Sequence, residues 1–179
     1  NATNYMDKKV LITGCGGMLG KSVYAAAIGK YGAENVVATD IDLNESWLSN
    51  LDVRDIKSCE TRFNEVNPAL VIHLAALTDL EYCETNQEDA WATNSLGTEN
   101  IALLARKYGA LMVYVSTAGI FGGEKAEYTD FDTPNPLSYY AKSKYHGEQF
   151  VERFIPEYYI FRAGWMMGGG VLKDKKFIN

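Results

Sequence analysis

The amino-acid sequence predicts an α/β fold in which helices cover both faces of a parallel sheet. Short apolar runs rich in valine and isoleucine alternate with helical stretches along the chain, and this alternation is typical of right-handed βαβ units. The first apolar run, residues 10–13, ends in a glycine cluster that leads directly into a helical pattern. Together these observations predict a doubly wound parallel sheet, the Rossmann fold.

Four further strands are predicted after the first, each bounded by turn residues. They comprise residues 35–39, 70–74, 111–115 and 158–161. Helices are predicted at residues 21–30, 55–66, 87–108 and 136–154, with Gly109 closing the third. Residues 121–135 are rich in glycine, proline and acidic side chains, and they predict a loop.

The length of 179 residues and an apolar content of 47% suit one globular domain with a sizeable core. We assign residues 6–165 to a nucleotide-binding Rossmann domain and leave residues 1–5 out of the predicted fold. Residues 166–179 run through three glycines into a charged stretch without a closing element. We therefore interpret them as the start of a truncated substrate-binding region, so that the C-terminal substrate-binding part is missing.

Composition excludes several classes of function. A net charge of −6 argues against a nucleic-acid or anionic membrane partner, and no apolar run approaches the ~20 residues that span a bilayer. The three cysteines (Cys15, Cys59 and Cys83) are widely spaced, which indicates reduced thiols in a cytoplasmic protein. With only two histidines and no metal-like spacing, we predict no metal site.

The glycine turn is the first candidate site, with Gly14, Gly17 and Gly20 spaced three residues apart. Gly14 permits the sharp turn, Gly17 lets the backbone approach phosphate oxygens, and Gly20 lets helix and strand pack closely. The helix start would offer free N–H donors to a pyrophosphate. Taken alone, this glycine spacing is also compatible with an ordinary glycine-rich turn between a strand and a helix. The predicted cofactor-binding residues here are Gly14, Gly16, Gly17, Met18, Leu19 and Gly20.

Asp40 ends the second predicted strand, about 20 residues beyond the turn, where a carboxylate meets the adenosine ribose. It would accept hydrogen bonds from the 2′ and 3′ hydroxyls and repel a 2′-phosphate. This favours NAD as the cofactor and leaves NADP open. Asp42 is a nearby competitor for the role, and a solvated acidic loop is the structural alternative.

Tyr140 and Lys144 form the second candidate site, because residues four apart on a helix share a face. A nearby ammonium would lower the pKa of the phenol and make it a usable proton donor near neutral pH. Tyr139 has no lysine four positions later. Ser116 and Thr117 directly follow the strand at 111–115, where ligands bind in doubly wound sheets, although such hydroxyls also satisfy local backbone groups.

Six motifs occur in the order found in extended short-chain dehydrogenases/reductases of the sugar-nucleotide type. They are Gly14-x-x-Gly17-x-x-Gly20, Asp52-Val53-Arg54, His73-Leu74-Ala75-Ala76, Asn94-x-x-Gly97-Thr98, Ser116-Thr117 and Tyr140-x-x-x-Lys144. The chain thus resembles this NAD-dependent epimerase/dehydratase superfamily over almost its whole length. Residues 78–84 and 162–165 most resemble its dTDP-4-dehydrorhamnose reductase branch.

The resemblance implies contacts with a dinucleotide. Asp52 and Val53 would contact the adenine, and Asn94 would support the active-site helix and its proton relay. The pyrophosphate and nicotinamide side would be lined by Leu74, Ala75 and Ala76.

The resemblance also implies the chemistry. Thr117 would hydrogen-bond a substrate carbonyl, Tyr140 would donate the proton, and Lys144 would also bind the nicotinamide ribose. The implied activity is NAD(P)-dependent reduction of a 4-keto-deoxy sugar nucleotide for surface polysaccharide precursors. The expected partner is the nucleotide-sugar, with a homodimer left open.

Two departures from the family pattern reduce the number of activities to be considered. Ala118 and Gly119 follow Thr117, where dehydratases of this superfamily usually carry Asp-Glu, so dehydration is disfavoured. The reductase branch often has Asp-Tyr there, which leaves the substrate open. The alternatives are a sugar-nucleotide 4-epimerase and a non-catalytic regulatory subunit like that of methionine adenosyltransferase. Because family members are longer, we expect this chain alone to show little or no turnover.

Overall fold

The computed structural model describes residues 8–166, and its centre is a parallel β-sheet. The strands are β1 (Val10–Thr13), β2 (Val36–Asp40), β3 (Leu48–Asn50), β4 (Leu70–His73), β5 (Leu111–Thr117) and β6 (Tyr158–Ala163). Their order across the six-stranded sheet is β3-β2-β1-β4-β5-β6, with every pairing parallel. The order reverses between β1 and β4, and open α/β sheets bind ligands at the carboxyl ends beside such a point. The predicted fold class is confirmed.

Six α-helices flank this sheet in the described part of the chain. They are α1 (Gly20–Tyr31), α2 (Ile56–Val66), α3 (Leu80–Thr85), α4 (Gln87–Trp91), α5 (Gly97–Lys107) and α6 (Tyr139–Phe154). A π-helical segment, Ala92–Leu96, joins α4 to α5, so the helix predicted at 87–108 is continuous but locally wider. Side-chain caps fix two helix starts, because Asp55 and Ser138 accept backbone N–H bonds from the first turns of α2 and α6.

The core is divided by the sheet into two parts. On one face, α2, α5 and α6 pack over the sheet around the fully buried Phe63, Ile101 and Tyr114. On the other face, α1 packs over β1 and β2, and the Tyr24 and Trp47 rings stack 4.2 Å apart. The larger core belongs to the face that carries α6, and it holds that helix against β5.

The structure adds two elements to the prediction and moves the start of one helix. Strand β3 was not predicted, since it has only three residues and no apolar run. Helix α3 was not predicted either, and α6 begins at Tyr139 because its cap is Ser138, so Pro136 lies in the preceding loop. All but the first residue of the predicted region at 166–179 lies outside the described residues.

Two further features concern residues 8–166. No helix in this range has both the length and the apolar character needed to cross a membrane. The same residues contain no group of three or more His, Cys, Asp or Glu side chains arranged to hold a metal ion.

Candidate active site

The turn after β1 requires glycine at its first position. Gly14 has a φ of 70°, a conformation that L side chains rarely adopt. A Cβ on Gly14 would lie 2.3 Å from the Ala75 Cα, so the turn packs directly on the backbone that follows β4. The backbone segments after β1 and β4 therefore meet at the reversal of strand order.

The other two glycines of the motif differ in their surroundings. A Cβ on Gly20 would lie 1.6 Å from the Cys15 carbonyl oxygen. The first residue of α1 thus packs on the turn itself, and not on the strand as the motif suggested. A Cβ on Gly17 would have only the Gly14 carbonyl oxygen within 4 Å, at 3.4 Å. The Gly17 side of the turn is open.

Asp40 lies beside this turn at the end of β2. Its carboxylate accepts hydrogen bonds from the Gly16 N–H (2.8 Å) and the Asp42 N–H (2.9 Å). The Asn44 side-chain amide donates to the Gly16 carbonyl at 3.1 Å, so Gly16 is held at both its N–H and its carbonyl. Of the two acidic candidates, Asp40 is therefore the one whose carboxylate is bonded to the turn.

Asp52 and Val53 follow β3 and face different surroundings. The Arg54 guanidinium donates two hydrogen bonds to Asp52, of 2.9 Å and 2.7 Å, and these hold the pKa of that carboxyl below its usual value. The Val53 side chain is buried against Gly97, where an added Cβ would lie 2.7 Å from Val53 Cγ2. A ligand contact from Val53 would therefore come from its main chain.

The segment after β4 is fixed by Asn94. Leu74, Ala75 and Ala76 are partly buried there, and the Leu74 N–H donates to the Thr13 carbonyl at 2.9 Å. The Asn94 amide accepts from the Leu77 N–H (2.8 Å) and donates to the Leu77 carbonyl (3.0 Å) and the Ser143 hydroxyl (3.0 Å). Since Ser143 lies on α6, Asn94 ties this segment to that helix.

His73 is a packing residue at the end of β4. The Thr98 hydroxyl donates to the Asn94 carbonyl, so His73 Nε2–H donates to Thr98 (3.0 Å) and Nδ1 accepts from the Thr13 hydroxyl (2.7 Å). Complete burial lowers the pKa of His73 to about 3, with the nearby Lys144 charge acting in the same direction. The imidazole is therefore neutral over the physiological range.

Thr117 and Tyr140 meet at the carboxyl end of β5. The Thr117 hydroxyl accepts a hydrogen bond from the Gly119 N–H at 3.0 Å. Burial raises the pKa of Tyr140, and a side-chain hydrogen bond with Thr117 partly offsets that rise. The structure thus brings together two side-chain hydroxyls that can both donate hydrogen bonds.

Lys144 shares the face of α6 with Tyr140 but is directed elsewhere. Its ammonium donates to the Val115 carbonyl at 2.8 Å and lies 4.4 Å from the centre of the Tyr114 ring. Complete burial lowers the pKa of Lys144 to about 7. The expectation that Lys144 lowers the pKa of the Tyr140 phenol is wrong for this structure, since burial of the phenol dominates and raises its pKa.

Sequence reasoning missed Glu148 and the partner that holds it. Glu148 is fully buried on α6, and its Oε1 accepts hydrogen bonds from Arg162 Nε (3.0 Å) and Nη2 (2.5 Å). Its position four residues after Lys144 was the available signal, because it places both side chains on one helix face.

Comparisons with known proteins identify relatives of this chain. The family model described as the RmlD substrate binding domain matches residues 8–179. The dTDP-4-dehydrorhamnose reductase of Mycobacterium tuberculosis (strain H37Rv) is 32% identical over 173 residues, covering 94% of this chain and 53% of that protein. The methionine adenosyltransferase 2 subunit beta of Xenopus tropicalis is 31% identical over 144 residues, covering 80% of this chain and 42% of that protein.

A solved structure is similar over the same region. The dTDP-4-dehydrorhamnose reductase of Bacillus anthracis str. Ames, in complex with NADP, superposes with a TM-score of 0.82 at 33% identity. The superposition covers 92% of this chain and 56% of that one. The chain therefore spans about half the length of the relatives it matches.

Proposed function

The chain belongs to the family of the RmlD substrate binding domain, within the extended short-chain dehydrogenases/reductases. We propose that it is the nucleotide-binding part of a sugar-nucleotide reductase. The reaction is the NAD(P)-dependent reduction of a 4-keto-deoxy sugar nucleotide. The observation that carries the proposal is the meeting of Thr117 and Tyr140 at the carboxyl end of β5, with Lys144 one turn further along α6.

The residues beside the strand-order reversal fit a nicotinamide dinucleotide. The backbone of the turn is open at Gly17 and closes on Ala75 through Gly14. The Gly20 N–H donates to the Gly17 carbonyl, so the N–H groups that would meet a pyrophosphate are those that follow it in the first turn of α1. Asp52, with the Val53 main chain, borders the adenine side. Leu74 and Ala76 flank Ala75 on the nicotinamide side. When bound, the nicotinamide supplies the hydride.

Asp40 sets the preference between the two nicotinamide dinucleotides. Both of its carboxylate oxygens accept backbone N–H bonds, so the charge is fixed beside Gly16 at the end of β2. A ribose with free hydroxyls offers donors to this carboxylate, whereas a 2′-phosphate brings a second negative charge. We infer that NAD is preferred over NADP.

The chain's own hydroxyls carry the proton chemistry. Thr117 donates a hydrogen bond to the sugar carbonyl, and Tyr140 gives its proton to that oxygen as the alkoxide forms. Burial raises the pKa of Tyr140, so the phenol carries the proton that the reduction needs, and positive charge from a bound nicotinamide would be needed to make it a stronger acid. Lys144, on the same face of α6, binds the nicotinamide ribose.

The deciding experiment measures NADH oxidation by the complete gene product, offered a dTDP-4-keto-6-deoxy-L-sugar and a panel of other nucleotide-sugars. We expect oxidation with one ketose. We expect Tyr140→Phe to lower turnover by ~10²–10⁴-fold, the usual contribution of a positioned proton donor, while NADH binding by calorimetry is retained. Tyr139→Phe is the matched control on the adjacent residue. Full activity in Tyr140→Phe would remove its proposed role.

A regulatory subunit is the second candidate, favoured by the similarity to methionine adenosyltransferase 2 subunit beta. The same experiment separates the candidates. NADH binding without oxidation of any substrate would favour the regulatory function, and interconversion of two nucleotide-sugars without net NADH consumption would favour a 4-epimerase.

A further inference from the structure

Two charged side chains lie buried one turn apart on α6. Lys144 is 2% exposed and Glu148 is 0% exposed, and their spacing of four residues puts them on one face of the helix. An ionised group inside a protein is strongly unfavourable unless its charge is compensated. The groups around each side chain therefore decide whether it stays ionised.

Glu148 is held by a cation from a neighbouring strand. Its Oε1 accepts two hydrogen bonds from Arg162 on β6, while its Oε2 is buried with no hydrogen-bond partner. Arg162 also lies 3.6 Å from the exposed Asp130 carboxylate and 5.5 Å from the Phe121 ring. The carboxylate of Glu148 is thus fixed, with half of its hydrogen-bonding capacity unused.

The ammonium of Lys144 is held by neutral groups. It donates to the Val115 carbonyl on β5 and lies over the Tyr114 ring from the same strand. On β4, the facing titratable group is His73, which is neutral. The negative charge that acts on Lys144 is therefore that of Glu148.

Removal of the Glu148 charge would take away the buried negative charge one turn from Lys144 and leave Arg162 without this partner. Arg162 keeps its proton in proteins, so Lys144 is the group that responds. Burial lowers the pKa of Lys144 to about 7, and the Glu148 charge opposes that decrease. Without Glu148, the pKa of Lys144 would fall further, and the side chain would be largely uncharged at neutral pH.

We propose that Glu148 is a positioning residue that, anchored by Arg162, maintains the positive charge on the buried Lys144. The consequence for catalysis rests on the proposed function, in which Lys144 binds the nicotinamide ribose. The charge relationship itself depends only on the three side chains.

The test measures the titration of Lys144 by NMR of the protein with ¹³Cε-labelled lysine, its signal assigned with Lys144→Met. In Glu148→Gln, we expect the midpoint to fall by roughly one pH unit or more. Glu152→Gln is the matched control, one turn further along α6 and more exposed, and we expect it to leave the midpoint unchanged. An unchanged midpoint in folded Glu148→Gln overturns the proposal.

Arg162→Gln tests the same relationship if Glu148→Gln does not fold. It removes the cation that holds the fully buried Glu148 carboxylate in place, and an unpaired buried charge is strongly unfavourable. The support for the Lys144 charge should therefore weaken and the midpoint should fall, and an unchanged or higher midpoint would contradict the proposal. NADH affinity measured against pH separates this inference from the proposed function. If the midpoint shifts but NADH affinity does not follow it, the Glu148 inference stands and the role given to Lys144 fails.

Discussion

The glycine turn after β1 and the buried face of α6 are built in opposite ways. At the turn, backbone approaches backbone: an added Cβ at Gly14 or Gly20 would lie 2.3 Å or 1.6 Å from main-chain atoms. On α6, the chemistry belongs to side chains, and the states of Tyr140 and Lys144 follow from burial and neighbouring charges. The turn is therefore specified by residue spacing, while the α6 face is specified by its tertiary surroundings.

The largest expected effect tests the backbone character of the turn. In Gly20→Ala, the new methyl group would meet the Cys15 carbonyl at 1.6 Å, so the main chain has to move. We expect the free energy of unfolding to fall by about 3 kcal/mol, as for severe overpacking. Urea unfolding followed by circular dichroism measures the change.

Gly29→Ala is the control within the same helix. No atom lies within 4 Å of a Cβ built on Gly29, which is exposed in the interior of α1. We expect a gain of about 0.5–1 kcal/mol, because alanine loses less conformational entropy than glycine in a helix. Similar changes in the two variants would mean that the turn is not tightly packed.

This contrast also explains which features of the site could be predicted from the sequence. Spacing located the turn and Asp40, because a strand, a sharp turn and a helix start leave a local pattern. The spacing also placed Tyr140 and Lys144 on one face of α6, but the lowered pKa predicted for Tyr140 had the wrong direction. Burial and the hydrogen bond from Lys144 to Val115 depend on packing between α6 and β5.

The missed elements have the same origin. Strand β3 is recognised by its pairing with β2, where Leu48 lies opposite Ala38, and three residues carry too little pattern of their own. Arg162 on β6 donates a hydrogen bond to Glu148 on α6, 14 residues earlier in the sequence. Contacts of this kind are fixed by the fold, so a single sequence does not indicate them.

His73 connects the two regions and provides the next effect in size. It accepts a hydrogen bond from Thr13, next to the turn, and its ring stacks on that of Tyr114, below Lys144. Its pKa is about 3 in the folded chain against 6.5 as the ordinary value. Above pH 6.5 both folded and unfolded states are neutral. As pH falls from 6.5 towards 3, the unfolded chain binds a proton that the folded chain does not, so stability is lost.

We expect His73 to contribute a loss of about 2 kcal/mol in the free energy of unfolding between pH 7 and pH 5. Guanidinium unfolding at the two pH values measures it. His73→Gln removes the titrating group, so its pH dependence should be smaller by that amount. Equal pH dependence in the two proteins would show that the imidazole is protonated inside the fold.

The smallest effect concerns which cofactor the turn accepts. In the proposed binding mode the pyrophosphate is held by backbone N–H groups, so one charge change at the border of the turn should alter selectivity and leave binding itself intact. Asp40→Asn removes the charge beside Gly16, and we expect NADPH to gain roughly tenfold in affinity relative to NADH, or about 1.4 kcal/mol. Asp42→Asn is the matched control, since the Asp42 carboxylate makes no bond to the Gly16 N–H, which donates to Asp40. Calorimetry with both cofactors measures the ratio. Wild-type affinities that are equal, or higher for NADPH, would contradict the role of Asp40 and assign selectivity to another part of the site.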